Sequence, residues 1–367
     1  MEDVKKARVE WIDNVRLFAM VWVVAGHCQM LIHRTAPEWI NLLLLAFNMA
    51  LFVMLSGYCF RAKTENFLKF VLGMADRLLV PAVFFVCINR MLFNTARYVF
   101  HGSCDIMDIA KFAVVSLFFA GAYLAKNRIP KAKYLASIAA LGLSFIVGDL
   151  WFLIMLFWVM VISGGVISLL KTRNLVIQAI VAFMVSVPLS MYVYDQTSEF
   201  ILYFFVGYAL KQYGVLDKKL ANNCVSPVCL LCIGVALLAY GGRYMVNYWQ
   251  YHFMDYVHAG DIHVFFLRHL CAISIGLSFI LLIKRINDKV SFGNLCYWGS
   301  MTLPLYAVHA GLSIWIKSLD IQLDLTDTQY YIYLIPATAL WLVVSALIIK
   351  GLNRYKFCRI MMFGSKK

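Results

Sequence analysis

WIDNVRLFAMVWVVAGHCQMLIH, residues 11 to 33, is a hydrophobic span with Asp13 and Arg16 at its mouth and His27 most of the way across it. Eleven residues separate Arg16 from His27, so at about 100° per residue they return to nearly the same helical face, about 16 Å apart along the axis. Asp13 lies one turn before Arg16 on the same side. A charge at mid-membrane costs on the order of 2.5 to 3.5 kcal/mol on insertion scales, so such a stripe has to look into protein or a wet cavity rather than lipid. Two readings are open from this helix alone. The three residues form a working site, or Asp13 and Arg16 mark the cytoplasmic edge and His27 is a neutral, hydrogen-bonded packing residue.

Around that stretch, 367 residues with 63% hydrophobic, 15% aromatic and only 14% charged content exclude a soluble domain. The net charge of +14 would suggest nucleic acid in a soluble protein. Here the basic residues sit in short loops between apolar spans, where they set membrane orientation, so the lipid bilayer is an expected partner and nucleic acid is not. The ten cysteines are scattered through hydrophobic segments, and Cys229 and Cys232, in a helix after Pro227, read as reduced small residues rather than a redox or zinc pair. No cleavable signal peptide is expected, because the first apolar span lacks a small-residue cleavage site.

The loop charges predict an all-α, polytopic transmembrane helical bundle. Its spans fall at about 15–32, 39–60, 78–99, 106–125, 134–149, 150–170, 175–193, 199–213, 227–246, 263–283, 298–317 and 330–349. Lys and Arg then cluster on one side and both termini are cytoplasmic. Residues 61–77, with Arg61, Lys63, Lys69 and Arg77, read as an inner-side loop that lies along the interface as an amphipathic piece. Ser56 and Gly57 permit close helix approach in the second span. The domain assignment is one transmembrane domain over 1–350 and a short basic cytoplasmic tail over 351–367.

Asp-x2-Arg-x10-His on a first transmembrane helix resembles the signature of the membrane-bound acyltransferase-3 family, multi-span bacterial enzymes that O-acylate extracytoplasmic glycans. FNMALFVMLSGYCF at 47–60 is similar to the family's second-helix phrase, and RLLVP at 77–81 to its basic start of the third helix. LWFL at 150–153, YFFVGYAL at 203–210 and PLYAVH at 304–309 follow in the family's order. The resemblance implies ten core spans, which makes the hairpin at 106–149 an addition, giving ten to twelve spans in a bacterial inner membrane. It implies a cytoplasmic acyl-coenzyme A donor, usually acetyl-CoA, and a glycan or other hydroxylated envelope acceptor, with no metal.

O-acylation of a sugar needs a base for the hydroxyl and a cation for the donor. His27 can accept the hydroxyl proton as general base, or carry the acyl group itself as nucleophile; the sequence leaves both open. Arg16 can meet the coenzyme's phosphates, held by Asp13 through an ion pair. The plainer alternative is an interfacial ion pair that fixes helix depth. In the family the third helix commonly begins Arg-x2-Arg; Arg77 matches the second position, but the first is Met74. Lys69, two turns before Arg77, is the expected substitute, and Arg61 and Lys63 are further cofactor-side candidates against the simpler reading of loop topology.

On the acceptor side the candidates are His309, which ends PLYAVH, together with Arg268, Glu199 and Trp151. His309 is equally readable as a packing histidine and Trp151 as an interfacial anchor. Arg268, beside His269 in the outer third of its span, demands a partner or water, and Glu199 is placed to pair with it. His252, Asp255, His258, Asp261 and His263, among Tyr248, Trp249, Tyr251 and Tyr256, suit a polar aromatic surface or sugar binding better than a metal site. The leading function is thus an integral-membrane O-acyltransferase. A secondary transporter is the competing layout, although the related halves and matching broken helices expected of carriers are not evident. A sensor or scaffold with a vestigial site is the third reading.

Overall fold

The computed structural model describes residues 9–32, 42–44, 46–61, 66–102, 106–125, 129, 132–144, 150–170, 174–190, 196–217, 225–245, 253–317, 323 and 325–363. Among these the regular elements are helices, with no strand. In chain order they are α1 (Glu10–Ile32), α2 (Asn48–Cys59), α3 (Phe67–His101), α4 (Ile106–Ala125), α5 (Ala132–Ser144), α6 (Trp151–Leu169), α7 (Leu175–Ser190) and α8 (Thr197–Gln212). They continue as α9 (Val225–Met245), α10 (Phe253–His258), α11 (Ile262–Asn287), α12 (Leu295–Ser300), α13 (Thr302–Lys317), α14 (Asp327–Leu352) and α15 (Lys356–Met361).

Six apolar stretches among the described residues are long enough to cross a bilayer: Leu42–Cys59, Phe67–Phe100, Ile106–Ala125, Trp151–Leu169, Ile262–Asn287 and Asp327–Leu352. Large apolar side chains stand exposed along them, as Val114, Leu117 and Leu124 do on α4 and Ile335, Leu340 and Leu347 on α14. Helices bare of polar cover with their backbone bonds satisfied internally are built for hydrocarbon, so this is a multi-pass membrane protein.

The chain divides into two compact units. The first comprises residues 1–60, 203–302 and 325–338. In it α1 packs against α2, α11 and α12, and α9 runs antiparallel against α11. Small residues set these distances. A Cβ on Gly57 would strike the Phe204 carbonyl of α8, and one on Gly207 the Met54 carbonyl of α2, so these two helices meet backbone to backbone. A Cβ on Gly299 would likewise strike the Asp13 carbonyl, which seats α12 directly on α1. The start of α1 is tied to the end of α11: Asn14 Nδ2 donates to Asn287 Oδ1 and Ser291 Oγ to Glu10 Oε2, the latter at 3.2 Å. Its far end is tied to the start of α14, where Tyr330 Oη donates to Gln29 Oε1 at 3.0 Å, both side chains buried. Ends that alternation of the spans puts on one side therefore lie together.

The second unit comprises residues 61–202, 303–324 and 339–367, with α3 packed against α4, α5 and α6. Two expectations need correcting. Residues 67–77 do not form a separate interfacial piece; they are the first turns of α3, one 35-residue helix of about 52 Å. Asn66 caps it, its Oδ1 accepting from Lys69 N at 2.9 Å, and the helix runs on through Pro81. The span expected at 298–317 is broken at Met301 into α12 and α13, where the backbone leaves helical geometry. The segment between α9 and α11 contains the short helix α10. The C-terminal segment also folds back. Phe357 packs edge-on against Phe84 of α3 and Tyr123 of α4, and Met361, Met362 and Phe363 are buried.

Candidate functional site

In the first unit the stripe on α1 is turned into protein. Between Arg16 and His27 the same face carries Ala19 at 0%, Met20 at 0% and Val23 at 3% exposure. The opposite face carries the rings, Phe18 lying 4.5 Å from Phe279 and Trp22 5.6 Å from Phe47 between centroids. His27 itself is half-buried.

Arg16 Nη1 lies 3.4 Å from Asp13 Oδ1, with the Asp13 side chain 3% exposed and the Arg16 side chain 31%. The carboxylate is thus covered behind a cation that keeps an open edge. The same guanidinium reaches Cys59 Sγ through Nη2 at 3.8 Å, and Trp11 packs edge-on against Tyr58 at 5.3 Å. The Asp-x2-Arg and Ser-Gly-Tyr phrases, far apart in sequence, meet at the end of α2. A second cation arrives at that place: Lys211 Nζ, from the last turn of α8, donates to Phe60 O at 3.2 Å. Lys211 was not among the sequence candidates. Its signal is its position directly after YFFVGYAL, where it reads as an ordinary loop cation closing a span.

Arg268 also belongs to this unit and donates to the buried Tyr256 hydroxyl at 2.9 Å. His269 is buried with its ring stacked on Tyr203 at 5.1 Å and Nδ1 2.8 Å from Phe265 O. Of the polar segment expected in an outer loop, Asp255 and His258 lie on α10 and His263 in the first turn of α11, while Tyr248, Trp249, Tyr251 and His252 are outside the described residues. Among the described residues no three His, Cys, Asp or Glu side chains converge as metal ligands.

In the second unit, Lys69 and Arg77 stand exposed on α3. Between them Gly73 has open space where a side chain would be, so the two cations border an uncovered strip. Met74 is 9% exposed and turned into the protein. The missing arginine therefore corresponds to a core position in this chain, and a cation there would have to be buried. Arg61 is exposed just past the end of α2, and Lys63 lies outside the described residues.

LWFL and PLYAVH meet in this unit. Trp151, half-buried, opens α6, and Phe152 packs edge-on against Tyr306 of α13 at 5.7 Å. One turn on, His309 is 0% exposed, its Nδ1 3.0 Å from Leu305 O. A carbonyl only accepts, so Nδ1 carries the proton. Glu199 is buried in the first turn of α8 beside Thr197 and Ser198.

Comparison with known proteins adds one match. A family model described as an acyltransferase domain covers residues 9–350, nearly the whole chain. No curated protein and no solved structure shows a significant match to it.

Proposed function

This chain belongs to the acyltransferase-3 family, and on that premise we propose that it transfers a short acyl group, acetyl foremost, from cytoplasmic acyl-coenzyme A to an envelope hydroxyl. The acceptor is a cell-surface or exported glycan or its lipid-linked precursor, and the membrane is the bacterial inner membrane. The chain is a multi-pass membrane acyltransferase. The finer reading rests on one observation above the others, the α1 stripe from Arg16 to His27 that is buried in protein at Ala19, Met20 and Val23. A polar stripe held out of lipid at that cost is retained for chemistry more readily than for packing.

In this reading Arg16, ordered by Asp13, and Lys211 attract the donor's phosphates; within the second unit Arg77 and Lys69 are cations of the same kind. His27 takes the proton of the acceptor hydroxyl as its oxygen attacks the thioester carbonyl. The carbon–sulfur bond then breaks and the proton passes to the departing coenzyme thiolate, leaving an ester and a free thiol. In the nucleophilic variant the imidazole first displaces the thiolate, and the hydroxyl then takes the acyl group from nitrogen. The acceptor-side candidates are His309, Trp151 and Glu199 in the second unit and, taken by itself, Arg268 in the first. No observation favours the carrier layout.

The reading is tested by purified full-length protein given acetyl-CoA and a panel of hydroxylated glycans. Free thiol should appear together with an O-acetylated glycan in equal amounts. Thiol release that no glycan stimulates, or none at all, contradicts it.

A further inference from the structure

Past the end of α14 the chain turns back onto folded protein. Phe357 of α15 packs edge-on against Phe84 of α3 and Tyr123 in the last turn of α4, and Met361, Met362 and Phe363 are buried. All of these residues, with α14 from Ala339 onward, belong to the second unit. The turn is basic. Lys350, Arg354 and Lys356 are exposed and Arg359 is half-buried, and none of the four makes an ion pair among the described residues. Residues 328–367 contain no Asp or Glu. The acids of the two helices beneath are Asp76 on α3 and Asp108 on α4, the latter paired with Lys111.

An apolar ribbon on α14 leads into this turn. Leu340, Val343, Val344 and Leu347 are exposed at the three- and four-residue spacing of one helix face. That face continues into Lys350 and Gly351, both exposed, and a Cβ on the glycine would meet nothing within 4 Å. The opposite face is closed, Ser345 and Ile349 being fully buried. From Leu340 to Lys350 the helix rises about 15 Å, half of a hydrocarbon core of about 30 Å. A ribbon one leaflet deep that ends in unpaired cations matches the length and the charge of an anionic phospholipid. Lys and Arg past a span set orientation wherever they occur. Orientation asks only that the charge lie on the right side, whereas this turn is clamped in place by Phe357 and the buried residues after it.

We infer that the end of α14 and the α15 turn form a site for one anionic phospholipid, the cations from Lys350 to Arg359 drawing in its phosphate while Leu340, Val344 and Leu347 lie along an acyl chain. The site does not depend on the acyl-transfer reading.

Native mass spectrometry of the detergent-solubilised full-length protein tests this, with dioleoyl-phosphatidylglycerol, dioleoyl-phosphatidylcholine and glycerol phosphate each titrated in and the affinity of the first molecule bound measured. Wild type should hold phosphatidylglycerol about tenfold more tightly than phosphatidylcholine. Glycerol phosphate, the same anionic chemistry without chains, should not displace it. Arg354→Gln and Lys356→Gln should each weaken phosphatidylglycerol by up to about fivefold. The triple variant that adds Arg359→Gln should bring it to the level of phosphatidylcholine, whose own affinity stays unchanged and so reports a folded protein. Lys289→Gln, which removes an exposed cation just past the end of α11, should leave the preference intact.

Equal affinity of wild type for the two lipids overturns the inference without recourse to any variant. A preference that survives the triple substitution, or that Lys289→Gln abolishes, overturns it as well. If glycerol phosphate displaces phosphatidylglycerol, the ligand is a soluble phosphate and the lipid assignment falls.

Discussion

His27 and His309 each end a motif phrase, but they sit in opposite surroundings. His27 is half-buried on a stripe that also carries a partly open guanidinium. His309 is fully buried, with Nδ1 committed to the Leu305 carbonyl one turn back on its own helix. A group that trades protons with a substrate needs an accessible edge, whereas a group that shapes a wall needs only a fixed orientation. The contrast supports giving proton or acyl transfer to His27 and a lining role to His309. Equal chemistry at the level of residue type is thus separated by burial.

The largest expected effect comes from removing the open imidazole: His27→Ala should lower acyl transfer about a thousandfold at an unchanged level of membrane-inserted protein. Assay of transfer alongside immunoblotting of membranes checks it, and retention of a tenth of the activity would break the contrast. Arg16→Ala should cost about a hundredfold in kcat/KM, with Arg16→Lys in between because a lysine keeps the charge but not the fork that spans Asp13 and Cys59. If lysine restores full activity, the guanidinium geometry is irrelevant.

Gly57→Ala sharpens the comparison from the structural side, since a Cβ there meets the Phe204 carbonyl and the helices must part. Overpacking of this kind costs about 1–3 kcal/mol, so a clear fall in thermal stability is expected, with activity lost through unfolding. An unchanged melting temperature would contradict the backbone-to-backbone packing. His309→Asn, which keeps an N–H for Leu305 O, should reduce turnover by less than about tenfold. A loss matching that of His27→Ala would erase the difference between the two histidines. Smallest of all, Lys211→Ala and Arg77→Ala should each raise the apparent KM for acetyl-CoA only about two- to fivefold, as suits partly screened cations.

The positions of the apolar helices could be read from the sequence because uninterrupted apolar runs separated by basic loops are strong signals. Gly57 was readable too, as a small residue in a span. The join of 67–77 to the third span was not, since Lys69, Asp76 and Arg77 mimic an interfacial loop and Pro81 mimics a boundary that membrane helices tolerate. The break at Met301 does carry a mark in the sequence, Pro304, which has no N–H to bond back to Ser300, while the seating of Gly299 on the α1 backbone is tertiary. At the site, Asp13, Arg16 and His27 were legible through helical spacing. Lys211 was hidden among other span-closing cations.

Transfer of labelled acetyl from acetyl-CoA to envelope glycan, in membranes carrying equal amounts of His27→Ala or His309→Asn protein, addresses the α1 stripe most directly. Label should be absent from the glycan with His27→Ala and present, at a tenth of wild type or more, with His309→Asn. Undiminished labelling with His27→Ala would contradict a catalytic role for the stripe.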